Sequence, residues 1–263
     1  MLRIVGSFII SEGLTVADAA ARESPGKHLL PSITTMGLPF LSRLRKYGVG
    51  TSGVIHVGAH SGQEYPSYQR LGFERQLWIE PQPNLYGRLV ENLPKSSMIR
   101  TANVACGERA GEAVMNVLEN NDGASNSLLK PKLHLEEYPK ITPGGTFTVP
   151  VARLDDVIAS AGFTPTDFSF LVVDVQGYEL HVLRGATEIL KTIRAAMVEV
   201  YLHELYAGCA LLPDVDAHME AAGMIRIGLR IGEHHYGDAL YVRRESTSVI
   251  QRLRLRFVGP LHR

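Results

Sequence analysis

A short β-branched run closed by glycine, Gly53-Val-Ile-His-Val-Gly-Ala59, constrains the fold of this chain more than any other feature. It lacks the polar alternation of a half-exposed strand and stops at a turn residue, as a strand buried on both faces of a parallel sheet does. A helix is expected over Gln63–Leu71, a second strand over Arg75–Glu80, a helix over Asn84–Leu93 and a third strand over Met98–Ala105. This βαβα rhythm calls for an α/β fold with helices on both faces of a mostly parallel sheet.

Further along, strands are expected at Glu112–Leu118, Phe147–Ala152, Phe168–Val175 and Ala195–Tyr201, with helices at Leu154–Ser160, Glu179–Thr192 and Pro213–Ala222. Met224–Ile231 and Ala239–Arg243 close the sheet as an antiparallel C-terminal edge. Between Glu119 and Gly145 the chain is polar and aperiodic, which predicts a long loop able to close over a site. The domain reading is an irregular, partly helical N-terminal arm over residues 1–50, one catalytic-size domain over 51–245, and a basic tail over 246–263. In that tail Arg252, Arg254 and Arg256 alternate with Leu253, Leu255 and Phe257, the pattern of an edge strand with one solvated basic face.

Lys plus Arg and Asp plus Glu both number 27, so no global field attracts nucleic acid or an anionic membrane. No apolar run reaches the ~20 residues that span a bilayer. Cys106 and Cys209 have no motif spacing and read as buried thiols in a reducing compartment, hence a cytoplasmic protein. A homo-oligomer is compatible with the sequence. The ten histidines include no H-E-x-x-H motif, so a compact transition-metal site is not indicated. A hard cation held by oxygens of Asp174 and Glu199 needs no compact spacing and stays open.

Two signals point to an adenosine-containing ligand. The glycine turn Gly58-Ala-His-Ser-Gly62 brings backbone close to a ligand at a helix start, and Glu80 stands 22 residues after Gly58 at the end of the next strand, placed to accept ribose hydroxyls. His60 occupies the place of the middle glycine in the dinucleotide fingerprint, which argues against a pyrophosphate guest. A third signal is Asp174, a carboxylate ending the most apolar strand, where its burial demands a purpose. A helix-capping role is the plain alternative. Glu199 and His203, near the end of the following strand, could converge on the same edge.

His56-Val-Gly-Ala-His-Ser-Gly62, Trp78-Ile-Glu-Pro81, Asn103-Val-Ala105, Gly123-Ala-Ser-Asn-Ser-Leu128, Val151-Ala-Arg-Leu-Asp-Asp156 and the block from Leu171 to Ala186, with its Asp-Val-Gln-Gly-Tyr-Glu core, together resemble the FkbM-like methyltransferases. The resemblance implies a doubly wound, Rossmann-like class I methyltransferase fold, S-adenosylmethionine as cofactor, and O-methylation of a hydroxyl on a small molecule, natural product, sugar or glycan. It implies a cofactor site built from His56, Gly58, Ala59, His60, Gly62, Glu80, Pro81, Asn103, Val104, Ser125 and Asp174. Asp174 is the first expected base, ahead of His203 and Glu199. His56 departs from the family, which usually has aspartate there. The competing readings are an NAD-dependent oxidoreductase or epimerase, opposed by the missing glycine, and a degenerate, non-catalytic binding module.

Overall fold

The computed structural model describes Leu44 and residues 47–246, so nearly all of the arm and the alternating-arginine tail lie outside the described residues. The strands are β1 (Gly53–Val57), β2 (Arg75–Ile79), β3 (Ile99–Ala102), β4 (Ala105–Cys106), β5 (Gly111–Glu119), β6 (Thr142–Ala152), β7 (Phe170–Val173), β8 (Ala195–Tyr201), β9 (Met224–Ile231) and β10 (Tyr236–Arg243). The helices are α1 (Tyr65–Leu71), α2 (Pro83–Asn92), α3 (His134–Glu137), α4 (Leu154–Ser160), α5 (Glu179–Arg184), α6 (Ile189–Thr192) and α7 (Leu212–Ala221).

Seven strands form one sheet in the order β3-β2-β1-β7-β8-β10-β9. Pairing is parallel from β3 to β8, and β10 runs antiparallel to both neighbours. Strand order therefore reverses between β1 and β7. In an open α/β sheet that switch point opens a crevice at the carboxyl ends of the strands, where ligands bind.

Both faces of the sheet are covered, which is why its central strands are apolar throughout. Ile55 and Val57 face a core closed by Leu154, Val182, Leu183, Leu190 and Met219 from α4 to α7. Val54 and Val172 face the other way, against Tyr68 of α1 and Leu89 of α2. Alternate residues of one strand thus feed two separate cores.

Two expectations change. The helix predicted over Glu179–Thr192 is two helices, because a Cβ on Gly185 would lie 2.0 Å from the Gly107 carbonyl oxygen and Asp155 caps a fresh start, accepting hydrogen bonds from the Glu188 and Ile189 amides at 2.9 and 3.0 Å. The stretch Glu119–Gly145 is not one loop, since it contains α3 and the start of β6, which pairs with β5 in a second, three-stranded sheet. At the end of β10, Arg243 is buried and donates from its guanidinium to the Ala222, Leu190 and Ile193 carbonyls at helix ends.

Candidate active site

At the end of β1 the chain turns through Gly58 and His60, both with positive φ (85° and 48°), and both the Gly58 and Ala59 amides donate to the Ile79 carbonyl of β2. Gly58 was expected to leave room for a ligand. The structure gives it a different necessity, because a Cβ there would sit 1.7 Å from the backbone oxygen of Asp174 on the adjoining strand end. Gly62 likewise faces protein, with Leu89 Cδ1 at 2.9 Å from a built Cβ.

Glu80 is buried, and its two oxygens accept one backbone hydrogen bond each, from the His60 amide at 2.8 Å and the Gln82 amide at 2.9 Å. A carboxylate offers about four acceptor positions. Part of its capacity therefore remains. Burial pushes its pKa up to about 7, against the pull of those two amides and of the Gln82 side chain. Pro81 and Asn103 border it, the Asn103 side chain donating to the Glu80 and Pro81 carbonyls at 2.9 and 3.0 Å. Val104 is half-buried against the core beneath.

His56 turns away from Glu80, towards α1. Its ring is buried on the α1 face, stacked on Trp78 at 5.4 Å, with Nδ1 3.1 Å from the Tyr68 hydroxyl and 4.0 Å from Glu64. Burial lowers its pKa to about 3, so it is a neutral core histidine.

The segment after β5 closes over the turn. The His60 ring Nε2 lies 2.9 Å from the Asp122 carbonyl, Gln82 donates to the Gly123 carbonyl at 3.1 Å, and Asn126 donates to the Gln82 side chain at 2.6 Å. Asn120, Asp122 and Gly123 all adopt positive φ around Asn121. The Asn121 amide nitrogen and oxygen are both cut off from solvent with no hydrogen-bond partner among the described residues. This loop therefore holds a side-chain amide that its own fold leaves unsatisfied. Ser125 is fully buried, its hydroxyl 3.0 Å from His134 Nε2 and its carbonyl accepting from Tyr206. It braces the loop rather than facing the crevice.

Asp174 ends β7 on the far side of Gly58. Its Oδ1 accepts from the Gln176 side chain at 2.8 Å, and the same amide donates to Glu199 at 3.1 Å, so one glutamine spans two carboxyls. Glu199 also accepts from the Tyr201 hydroxyl. Helix capping is not the work of Asp174: Glu179 accepts from the Val175 and Gly177 amides, both at 3.0 Å, and holds the turn. Beyond Asp174 a pocket is lined by Asp174, Glu199, Arg230, Tyr236 and Asp238, with the β9–β10 turn at its rim. His203 is a correction. It is exposed, edge-on to the His235 ring at 4.4 Å, and does not line this pocket, because the chain leaves the sheet edge directly after Tyr201. Among the described residues no three His, Cys, Asp or Glu side chains are arranged to hold a metal ion, so a cation on Asp174 and Glu199 gains no geometric support.

Sequence reasoning missed Gln82, Asn121, Gln176 as a bridge, and Asp238. Only Asp238 left a usable signal, a carboxylate interrupting an apolar run, the same signal that marks Asp174.

Residues 56–225 match the family described as the methyltransferase FkbM domain. The chain belongs to that family. This FkbM-domain chain is 32% identical over 162 residues to the 2-O-methyltransferase NoeI of Sinorhizobium fredii (strain NBRC 101917 / NGR234), covering 59% of this chain and 65% of that protein. It thus spans just under two thirds of that relative's length. Among solved structures it is similar to magnesium protoporphyrin IX methyltransferase from Synechocystis PCC 6803 (10% identity, TM-score 0.42, 77% of this chain and 76% of that one). It is also similar to the 1,6-didemethyltoxoflavin-N1-methyltransferase of Burkholderia thailandensis (10% identity, TM-score 0.42, 81% of each chain).

The buried acids of the site make a stability prediction with a definite sign. Glu64 and Glu80 are raised to about 7, and Glu179 and Asp238 to about 8, each chiefly by burial. The folded state therefore binds more protons than the unfolded chain at these four groups, so their contribution is full below pH ~4.5 and is lost as pH rises through 7 to 8. His56 and His134, lowered to about 3 and 4, act oppositely, but their effect is complete above pH ~6.5. The ligand-free protein is expected to lose on the order of 1 kcal/mol per buried acid between pH 6.5 and 8, seen as a falling melting temperature. A flat or rising melting temperature across that window would contradict the burial of these groups.

Proposed function

We propose that this protein is an S-adenosylmethionine-dependent methyltransferase that transfers a methyl group to a hydroxyl oxygen of a small-molecule or glycan acceptor. The observation that carries this reading is the arrangement at the switch point. Glu80, with acceptor capacity left over, lies on the β2 side, a carboxyl-lined pocket lies on the β8–β10 side, and Asp174 stands between them. The FkbM family match and the similarity to a 2-O-methyltransferase support both the reaction and the oxygen acceptor.

The residues present fit the cofactor. Glu80 would take the ribose hydroxyls on the acceptor positions its protein partners leave free. When bound, S-adenosylmethionine supplies an electrophilic methyl group on a sulfonium. The protein's part is to hold donor and acceptor in line and to receive the acceptor's proton. Asp174 is the group placed to take that proton on a carboxyl oxygen. Burial raises its pKa, while the hydrogen bond from Gln176 restrains the rise. The inserted segment, anchored to His60 and Gln82, excludes water from the crevice.

Glu80→Ala is expected to weaken S-adenosylhomocysteine binding roughly tenfold to a hundredfold, the value of a charge-assisted hydrogen bond of ~1.5–3 kcal/mol. It should also lower the melting temperature, because the His60 and Gln82 amides lose their acceptor. Calorimetry giving unchanged affinity would remove Glu80 from the ribose site. Binding of NADH in place of S-adenosylhomocysteine by the wild-type chain would favour the oxidoreductase reading.

A further inference from the structure

Across the carboxyl end of the sheet, one row of side chains runs over four strands. Glu199 of β8 is paired directly with Asp238 of β10, and Asp238 with Arg230 of β9. Asp174 lies one step beyond the Val173–Val198 pair, level with Glu199. All four line the same pocket. Like charges directly opposite one another destabilise a sheet, so this row needs compensation. Two of its carboxyls have it, since Asp174 is held by Gln176 and Glu199 by Gln176 and Tyr201.

Asp238 does not. It is 8% exposed, faces the pocket, and makes no hydrogen bond to any described residue; its compensation is the field of the exposed Arg230. A buried carboxyl left without donors costs free energy that a fold does not retain without use. Its oxygens open into the pocket rather than being sealed off, so the donors it lacks within the fold can come from a guest there.

We propose that Asp238 is an acceptor-binding residue that accepts a hydrogen bond from a hydroxyl neighbouring the one methylated, and that the pocket thereby selects an uncharged, polyhydroxylated acceptor against its anionic counterparts. This rests on the methyl-transfer reading above, and adds to it the charge class of the acceptor and the residue that enforces it. A neutral sugar ring supplies hydroxyl donors at adjacent carbons, enough to serve Asp174 and Asp238 together. Above the Asp238 pKa of about 8 its carboxyl is ionised and only accepts, so a carboxylate or phosphate on that ring would enter a row of three acidic groups against one guanidinium without bringing a donor.

The test uses the full chain at about pH 8.5, where Asp238 is ionised, with three probes of one ring type: methyl β-D-glucoside, methyl β-D-glucuronide and glucose 6-phosphate. Saturation-transfer NMR is run with and without S-adenosylhomocysteine. The neutral glycoside is expected to bind, and each anionic probe to bind at least about tenfold more weakly. Asp238→Asn removes one acidic group from a crowded row and so should not lower the melting temperature. It should weaken the neutral glycoside by about tenfold and shrink the discrimination against the glucuronide, with S-adenosylhomocysteine affinity unchanged. Equal binding of neutral and anionic probes, no binding of the neutral glycoside, or an Asp238→Asn variant indistinguishable from wild type would overturn the proposal. So would magnesium binding, titrated alone, that vanishes in Asp238→Asn and would make the row a cation site. Absence of S-adenosylhomocysteine binding by the wild type would instead overturn the methyl-transfer reading, and leave the contrast between probes measurable.

Discussion

Asp174→Asn is expected to lower the turnover number by ~10²-fold or more while S-adenosylhomocysteine affinity changes little. Asparagine keeps the shape and can still accept from Gln176 on its oxygen, so the bridge to Glu199 survives. What it loses is the ability to take a proton. Glu80 sits on the other side of Gly58 and should hold the adenosine half undisturbed. A capping role no longer competes, because Glu179 already holds the Val175 and Gly177 amides. If Asp174 instead served a cation, activity of the wild type would fall on chelation and the variant would lose that dependence. Single-turnover methyl transfer, with and without a chelator, separates the two. Near-normal turnover in Asp174→Asn would sink the proton-accepting role.

Much of this was legible in the sequence because burial leaves a pattern. Strands β1, β2, β7 and β8 are apolar on both faces, so their runs stand out, and a carboxylate at the end of such a run, Glu80 or Asp174, marks itself by its cost. Asp238 obeys the same rule and escaped it for a local reason. Gly237 beside it reads as turn, so the strand was expected to start at Ala239, whereas the structure extends it back to Tyr236.

The inserted segment was opaque for a different reason. Its order comes from contacts distant in sequence, such as Ser127 donating to the Gln176 carbonyl at 2.6 Å and Lys132 donating to the Leu205 carbonyl at 2.8 Å. No local period records partners 49 and 73 residues away, and Pro143, Gly144 and Gly145 disguise the start of β6. His56 shows the limit of motif reading. Its place in the first motif put it in the expected cofactor site, but a residue on that side of β1 faces Tyr68 and Trp78, and strand alternation decides where it points.

Gly58→Ala is expected to be among the most damaging single substitutions in the chain, and the reason is protein rather than ligand. Two costs combine there: a φ of 85°, which an L side chain adopts only under strain, and a Cβ 1.7 Å from the Asp174 carbonyl oxygen. Gly208 separates them, since its φ is 77° but nothing lies within 4 Å of its built Cβ. Gly208→Ala should therefore cost only the backbone strain, ~1 kcal/mol. Gly58→Ala must in addition push the β7 terminus away from β1, breaking the bond from the Asp174 amide to the Val57 carbonyl at 3.0 Å, and should cost ~3 kcal/mol or more. Urea midpoints of the two variants measure the difference, and equal destabilisation would show that the contact at the switch point yields without cost. The displacement also carries a functional consequence. Asp174 is held at the crevice by the same backbone that meets Gly58, so any Gly58→Ala protein that stays folded should lose methyl transfer more than it loses stability.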